Sequence, residues 1–288
     1  MIKIDITKKL YGSDGEMQLD INLEIQEGSF VAIAGDSGSG KSTFLRILAG
    51  LENADGCISV SNSIFQDERT FLQPQKRGIG FVFQNYALFE NMSIENNLLY
   101  VKKDKKLASH LLEVTKLTEL KDRLPSTLSG GQKQRVSLCR AMMHKPKLLL
   151  MDEPLSALDP SMRLKLQNEI LSLHNEFGLT TIMVSHDPSE IYRLAQRVVV
   201  LKNGLIVDDG LPKDILLKTS GSAKFSFEGE LLDILKVDVI NVAIISIGQQ
   251  LVEIVVSENE IKNLKIGQKV DVSTKAFNPI INAIKHKF

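Results

Sequence analysis

Short apolar runs alternate with stretches of helical periodicity from residue 1 to about residue 210. The runs at 29–34 (SFVAIA), 79–83 (IGFVF), 147–152 (KLLLMD), 180–185 (TTIMVS) and 197–201 (RVVVL) are apolar nearly throughout. A strand that is apolar on both faces is covered on both faces, which is the condition of a parallel strand flanked by helices. Residues 161–177 place Leu166, Ile170, Leu173 and Phe177 on one helical stripe, with Asp159 as N-cap and Pro160 at the first helical position. Residues 1–6 alternate as a strand. The pattern predicts an α/β fold with a mostly parallel sheet over residues 1–217.

Two changes of pattern divide the chain further. Residues from about 85 to 145 are helix-rich, polar and poor in strand signals, and read as a helical subdomain inserted into the core. Residues 218–226 are mostly small and polar and read as a linker. Beyond them, 237–247, 251–256 and 269–275 are β-branched and alternating, with turn signals at Gly248 and Gly267, so 227–288 reads as a small β-barrel or sandwich.

Composition narrows the function classes. Lys+Arg and Asp+Glu both number 35, which leaves no bulk charge to attract nucleic acid or anionic lipid. No apolar run reaches the ~18 residues that cross a bilayer, and the N-terminus lacks the apolar segment of a signal peptide. The chain therefore reads as soluble, with any membrane connection made through a partner. Cys57 and Cys139, far apart and without a CxxC companion, read as reduced core thiols.

Candidate chemistry begins directly after the run at 29–34. Gly35, Asp36, Ser37, Gly38, Ser39, Gly40, Lys41 and Ser42 fit G-x-x-x-x-G-K-[ST] between an apolar strand and a helical pattern at 43–49 that Gly50 closes. The glycines let the backbone turn its N–H groups inward on phosphate oxygens, and the helix N-terminus adds partial positive charge. Lys41 is placed to bridge β- and γ-phosphates, Thr43 joins the same set, and the Ser42 hydroxyl is a ligand for Mg²⁺. The run at 147–152 ends in two carboxylates. Asp152 is the candidate partner of Mg²⁺, and Glu153 the candidate base for an attacking water.

Leu128 leads Ser129, Gly130, Gly131 and Gln132 into a helical pattern at 132–143, a second exposed helix N-terminus fit for an anion. With this LSGGQ pentapeptide the sequence resembles the ABC transporter ATPases over roughly residues 1–215. The resemblance implies a P-loop NTPase (RecA-like) core binding ATP and Mg²⁺, with Tyr11 stacking on adenine and Gln84 reaching the metal and the attacking water. It implies that His186 contacts the γ-phosphate, and that Ser156, Ala157, Leu158 and Asp159 touch the partner's site. Ser129, Gly130, Gly131 and Gln132 would cover ATP held by Lys41 of another copy, so a head-to-tail homodimer follows. That dimer closes on ATP and opens after hydrolysis. It would act on integral-membrane permease subunits at the cytoplasmic face of a bacterial inner membrane, through residues 85–91 (NYALFEN).

The tail resembles the OB-like Mop/TOBE domain behind importer ATPases, through Leu264, Gly267, Val270, Lys275 and Ala276. This points to an oxyanion importer, molybdate first with tungstate and sulfate as neighbours, served indirectly by an external oxyanion-binding protein. Glu258 and Phe277 stand where free-standing members of the domain family carry hydroxyl residues, so the domain itself reads as a packing or dimer-stabilising module. Two other classes fit less well. A non-transport ABC ATPase usually carries two cassettes in one chain or a long coiled coil for which the interval 42–128 is too short, and a non-catalytic regulator has no use for Glu153 or His186.

Overall fold

The computed structural model describes residues 1–12, 15–156, 158–217, 225–237, 240–247, 250–261 and 264–274. The chain divides into two units, Met1–Leu217 and Lys218–Phe288. In the first unit, β1 (Ile2–Gly12) and β2 (Gly15–Ile25) pair antiparallel, Ile4 opposite Leu23 and Ile6 opposite Ile21. Ile2, Ile4 and Ile6 point inward and Lys3 and Asp5 outward, the period of a strand with one wet face. The buried strand β3 (Phe30–Ala34) leads through a loop into α1 (Lys41–Ala49). β4 (Asp55–Val60) returns alongside β1, β5 (Ser63–Gln66) pairs with it, and β6 (Ile79–Val82) begins the far side of the sheet.

Three helices follow before the next strand: α2 (Ile94–Val101), α3 (Lys105–Val114) and α4 (Gly130–Met142). Then come β7 (Leu148–Asp152), α5 (Pro160–Phe177), β8 (Thr180–Val184), α6 (Pro188–Leu194), β9 (Arg197–Lys202), β10 (Leu205–Gly210) and α7 (Pro212–Leu216). The ten-stranded sheet runs β5-β4-β1-β2-β10-β9-β3-β8-β7-β6. Its two faces bury different cores. Leu148, Leu150, Ile182 and Val184 pack with Phe44, Leu45 and Leu48 of α1, whereas Leu149, Met151 and Met183 pack with Val136, Met142, Leu166 and Ile170 of α4 and α5. Among the described residues no helix is long and apolar enough to cross a membrane.

Several expectations need correction. The sheet is continuously parallel from β9 through β3, β8 and β7 to β6, and β10 meets β2 in one further parallel pairing at Leu205 and Asp20. The strands β5-β4-β1-β2 form an antiparallel ribbon, because β1 and β2 alternate and zip as neighbours before the chain enters the core, and β10 pairs antiparallel with β9. Helix α1 starts at Lys41 and α4 at Gly130, two residues earlier than their apolar patterns, because the preceding glycine and serine already serve as N-caps. Cys139 is buried, but Cys57 lies exposed on β4 rather than in the core.

The second unit holds β11 (Phe225–Val237), β12 (Ile240–Ile247), β13 (Gln250–Val256), α8 (Glu258–Ile261) and β14 (Lys269–Thr274). They form an antiparallel sheet, β13-β12-β11-β14, over a small core of Leu231, Ala243 and Ile245. β11 occupies residues assigned to the linker and extends far beyond them, its alternation interrupted by a register shift between Leu231 and Asp233. Glu258 is exposed at the start of α8. Lys275, Ala276, Phe277 and Gly248 lie outside the described residues.

Candidate active site

The loop from β3 to α1 is shaped by a close approach. A Cβ on Gly35, whose φ is 136°, would stand 2.0 Å from the Leu201 carbonyl oxygen, so the end of β9 admits only glycine there. Gly40, at φ 96°, N-caps α1 without a side-chain bond, which leaves the first-turn N–H groups of the helix directed at the loop. Asp36, Ser37 and Gly38 are exposed at the rim, and Ser39 is buried beneath it. Lys41, 7% exposed, donates from Nζ to the carbonyls of Gly35 (2.8 Å) and Asp36 (2.6 Å) and lies 3.5 Å from Ser39 Oγ. Burial lowers its pKa, against the raising pull of Glu153, Asp36 and Asp152.

The end of β7 faces this loop. Ser42 Oγ donates to Asp152 Oδ1 at 2.9 Å. Burial raises the Asp152 carboxyl, and Glu153 adds to that, while the Ser42 bond and the charges of Lys41 and Arg46 pull it down. Glu153 sits at φ 45°, a left-handed conformation that a non-glycine residue holds only under constraint. The constraint is visible: its N–H donates to Val184 O at 3.1 Å, while Ser156 Oγ donates to its carbonyl. This twist parts the two carboxylates. Glu153 Oε2 accepts from Gln84 Nε2 at 3.3 Å, and Oε1 lies 3.3 Å from His186 Nδ1.

Lys41, Ser42, Gln84, Asp152, Glu153 and His186 thus meet at one end of the parallel strands. A cleft of about 730 Å³ beside them is lined by Tyr11, Gly40, Lys41, Ser42, Thr43, Gln84 and Glu153. Tyr11 is 81% exposed at its mouth, a large aromatic face left open among the described residues. The donor set fits Mg²⁺, because Ser42 Oγ and Asp152 Oδ1, 2.9 Å apart, present two hard oxygens beside the phosphate loop.

Ser129 to Gln132 take no part in this convergence. Ser129 caps α4 in a closed box: Gln132 N–H donates to Ser129 Oγ (3.4 Å), and Ser129 N–H donates to Gln132 Oε1 (2.9 Å). Ser129 and Gly130 are exposed, while Gly131 packs so closely on Met162 that a Cβ would approach its sulfur to 3.0 Å. Leu158 is 8% exposed, whereas Ser156 and Asp159 are exposed, with Asp159 Oδ1 engaged by the N–H groups of Ser161 and Met162. Ala157 lies outside the described residues.

Sequence reading missed three arginines. Arg140 donates to the carbonyls of Tyr86 and Ala87, holding two successive left-handed residues beside Gln84. Arg77 caps the C-terminal end of α1, and Arg163 joins the His186 loop to the Leu158 carbonyl. Their partners are distant in sequence, so no spacing signals them.

The sequence profile described as ABC transporter matches residues 19–156. The chain is 43% identical over 222 residues to sulfate/thiosulfate import ATP-binding protein CysA 2 of Agrobacterium fabrum, and 39% over 238 residues to the Fe(3+) ions import ATP-binding protein FbpC of Fusobacterium nucleatum. Those alignments cover 73% and 80% of this chain but only 64% and 63% of the relatives. Against the probable sulfate/thiosulfate import ATP-binding protein CysA of Chlorella vulgaris, identity is 42% over 74% of this chain and 92% of that protein. The chain belongs to the ABC transporter ATP-binding family. A dimeric ATP-binding cassette, solved in a post-hydrolysis state with ADP and Pi, shares its fold at TM-score 0.66 and 30% identity, over 74% of this chain and 99% of that one.

Proposed function

We propose that this chain is the ATP-hydrolysing subunit of an importer and works as a head-to-tail homodimer. The observation that carries the reading is the convergence of Lys41, Ser42, Gln84, Asp152, Glu153 and His186, with Ser129 exposed but absent from it. The N–H groups of 35–43 and Lys41 bind the phosphates, and Tyr11 stacks on the base. Ser42 and Asp152 would hold Mg²⁺, with Gln84 near it; the ion supplies neutralising charge to the phosphates. Glu153, held between Gln84 and His186, orients the attacking water and accepts its proton, and His186, whose Nδ1 lies on Glu153, would contact the γ-phosphate. Ser129, Gly130, Gly131 and Gln132 of a second copy complete the site, with Ser156, Ala157, Leu158 and Asp159 flanking it.

The dimer would act on permease subunits at the cytoplasmic face of a bacterial inner membrane, with residues 85–91 as the docking stretch. We read the second unit as a Mop/TOBE-like, OB-type module that packs or stabilises the dimer. Its resemblance favours an oxyanion, molybdate in the first place, delivered by an external binding protein. Sulfate is the second reading, supported by the two sulfate/thiosulfate relatives; the Fe(3+) relative shows that related cassettes serve cargo of opposite charge.

Glu153→Gln tests the chemistry. ATP binding persists, turnover falls about 100-fold or more, and an ATP-dependent dimer accumulates; unchanged turnover removes Glu153 from its role. Purification of the chain with its membrane partners, followed by molybdate-, tungstate- and sulfate-stimulated ATP turnover, tests the cargo.

A further inference from the structure

A charge cluster behind His186 has no task in the hydrolysis described above. Arg163 stands in the first turns of α5. Its Nη1 donates to Asp187 Oδ2 at 2.7 Å, its Nη2 donates to the Leu158 carbonyl at 3.4 Å, and its Nε lies 3.4 Å from Glu190 Oε1. Glu190, 3% exposed, accepts from Ser185 Oγ at 2.6 Å through its other oxygen, and the same hydroxyl accepts from Asp187 N–H at 3.1 Å. Both neighbours of His186 are therefore tied to groups that end on one guanidinium. The same guanidinium reaches back to the loop that carries Ser156 and Leu158.

The geometry points to Arg163 as a positioning residue that locks the Leu158 loop to the His186 loop, so that a displacement of the first moves the imidazole against Glu153. This rests on the ATP-hydrolysis reading, in which Ser156 to Asp159 face the partner copy. The guanidinium suits the task because its rigid planar fork satisfies a carboxylate and a carbonyl in fixed directions, whereas an ammonium holds either partner without fixing the angle between them. Glu190 cannot substitute for it. Burial pushes the Glu190 carboxyl up, the Ser185 bond lowers it, nearby Asp187 raises it again, and Arg163, which pairs with both carboxylates, lowers it, with His186 adding a smaller pull in the same direction. Without Arg163, Asp187 and Glu190 repel across a loop that otherwise holds His186 3.3 Å from Glu153.

The test uses the full chain with Arg163→Met and Arg163→Lys, and with Arg193→Met as control. Arg193 also spans α6 and α5, donating to Asn168 Oδ1, but touches neither loop. Hydrogen–deuterium exchange of the nucleotide-free chain reads the lock directly. Arg163→Met should raise exchange about tenfold or more at the N–H groups of both Leu158 and Asp187, and the control at neither. In ATP turnover, kcat should fall about tenfold or more with KM for ATP held within about twofold, since misplacement of a catalytic group costs on that scale. Arg163→Lys should recover the melting temperature but not kcat. Exchange that rises in one loop only, or in neither, overturns the proposal. So does a loss of kcat that tracks melting temperature across both variants. If the wild-type chain itself does not turn over ATP, the hydrolysis reading fails, and the exchange measurement alone decides whether Arg163 locks the loops.

Discussion

Replacing Arg77 with methionine keeps a long apolar stem and removes a guanidinium that is 5% exposed as a residue and holds four backbone carbonyls. Its Nη1 donates to Ile47 O (2.8 Å) and Leu48 O (2.7 Å) at the C-terminal end of α1, its Nε to Leu72 O (2.8 Å), and its Nη2 to Phe65 O (3.4 Å). Phe65 and Phe71 cover it at 5.3 and 5.0 Å. Burial pushes its pKa down to about 10, so the cation persists at neutral pH. Hydrogen bonds from a charged donor contribute roughly 1.5–3 kcal/mol each, and an orphaned buried carbonyl costs roughly 1–3. Ile47 O keeps a second donor in Gly50 N–H, and the carbonyls nearer the surface can rehydrate, so a net loss of about 2–4 kcal/mol is expected. At roughly 2–4 °C per kcal/mol for a unit of this size, the melting transition of the first unit should fall by about 5–15 °C in differential scanning calorimetry. Gly50→Ala supplies a cross-check. Its Cβ would stand 2.6 Å from Arg77 Nε, at φ 75°, so part of its cost should vanish in the Arg77→Met background. A first-unit transition within 2 °C of wild type, a bound set as about 1 kcal/mol, would refute the capping argument.

The remaining predictions are simpler. Gly35→Ala places a Cβ 2.0 Å from a backbone carbonyl that cannot swing aside, so ATP binding should be lost while the far side of the sheet stays folded; retained nucleotide affinity in a fluorescence titration would contradict the geometry. At pH 8 a maleimide should modify the folded chain once, at exposed Cys57, because burial pushes the Cys139 thiol up to about 12 and keeps it protonated; mass spectrometry should show a second addition only after unfolding. Ser129→Ala should lower stability by about 1 kcal/mol through loss of the cap while leaving the affinity of Lys41's own loop for ATP unaltered.

What sequence made legible follows from what is local. Glycine and lysine at fixed spacing after an apolar strand announce a phosphate loop because the strand, turn and helix are consecutive. The parallel strands announce themselves because both of their faces are buried. The antiparallel ribbon was harder to read, since β1 pairs with β4 across the whole of α1 and nothing near either strand reports the other. β11 was obscured by a register shift that breaks its alternation and by the small polar residues before it. Within the site, the residue types were readable and their directions were not. The left-handed turn at Glu153 separates its carboxylate from that of Asp152, a property of backbone held by Val184 and Ser156 rather than of any motif. Arg77, Arg140 and Arg163 act on carbonyls and carboxylates remote in sequence, where an ordinary surface arginine would read the same.

The central claim is that one ATP is held by Lys41 of one copy and by Ser129 of another. Two variants in a Glu153→Gln background, one with Lys41→Ala and one with Ser129→Arg, test it by analytical ultracentrifugation with Mg²⁺ and ATP. Each alone lacks one half of both sites. Mixed, they pair intact Lys41 from one chain with intact Ser129 from the other and restore a single composite site. The account predicts that neither variant dimerises alone and that the mixture does. Dimerisation of either variant by itself, or a mixture that stays monomeric while the Glu153→Gln parent dimerises, would contradict it.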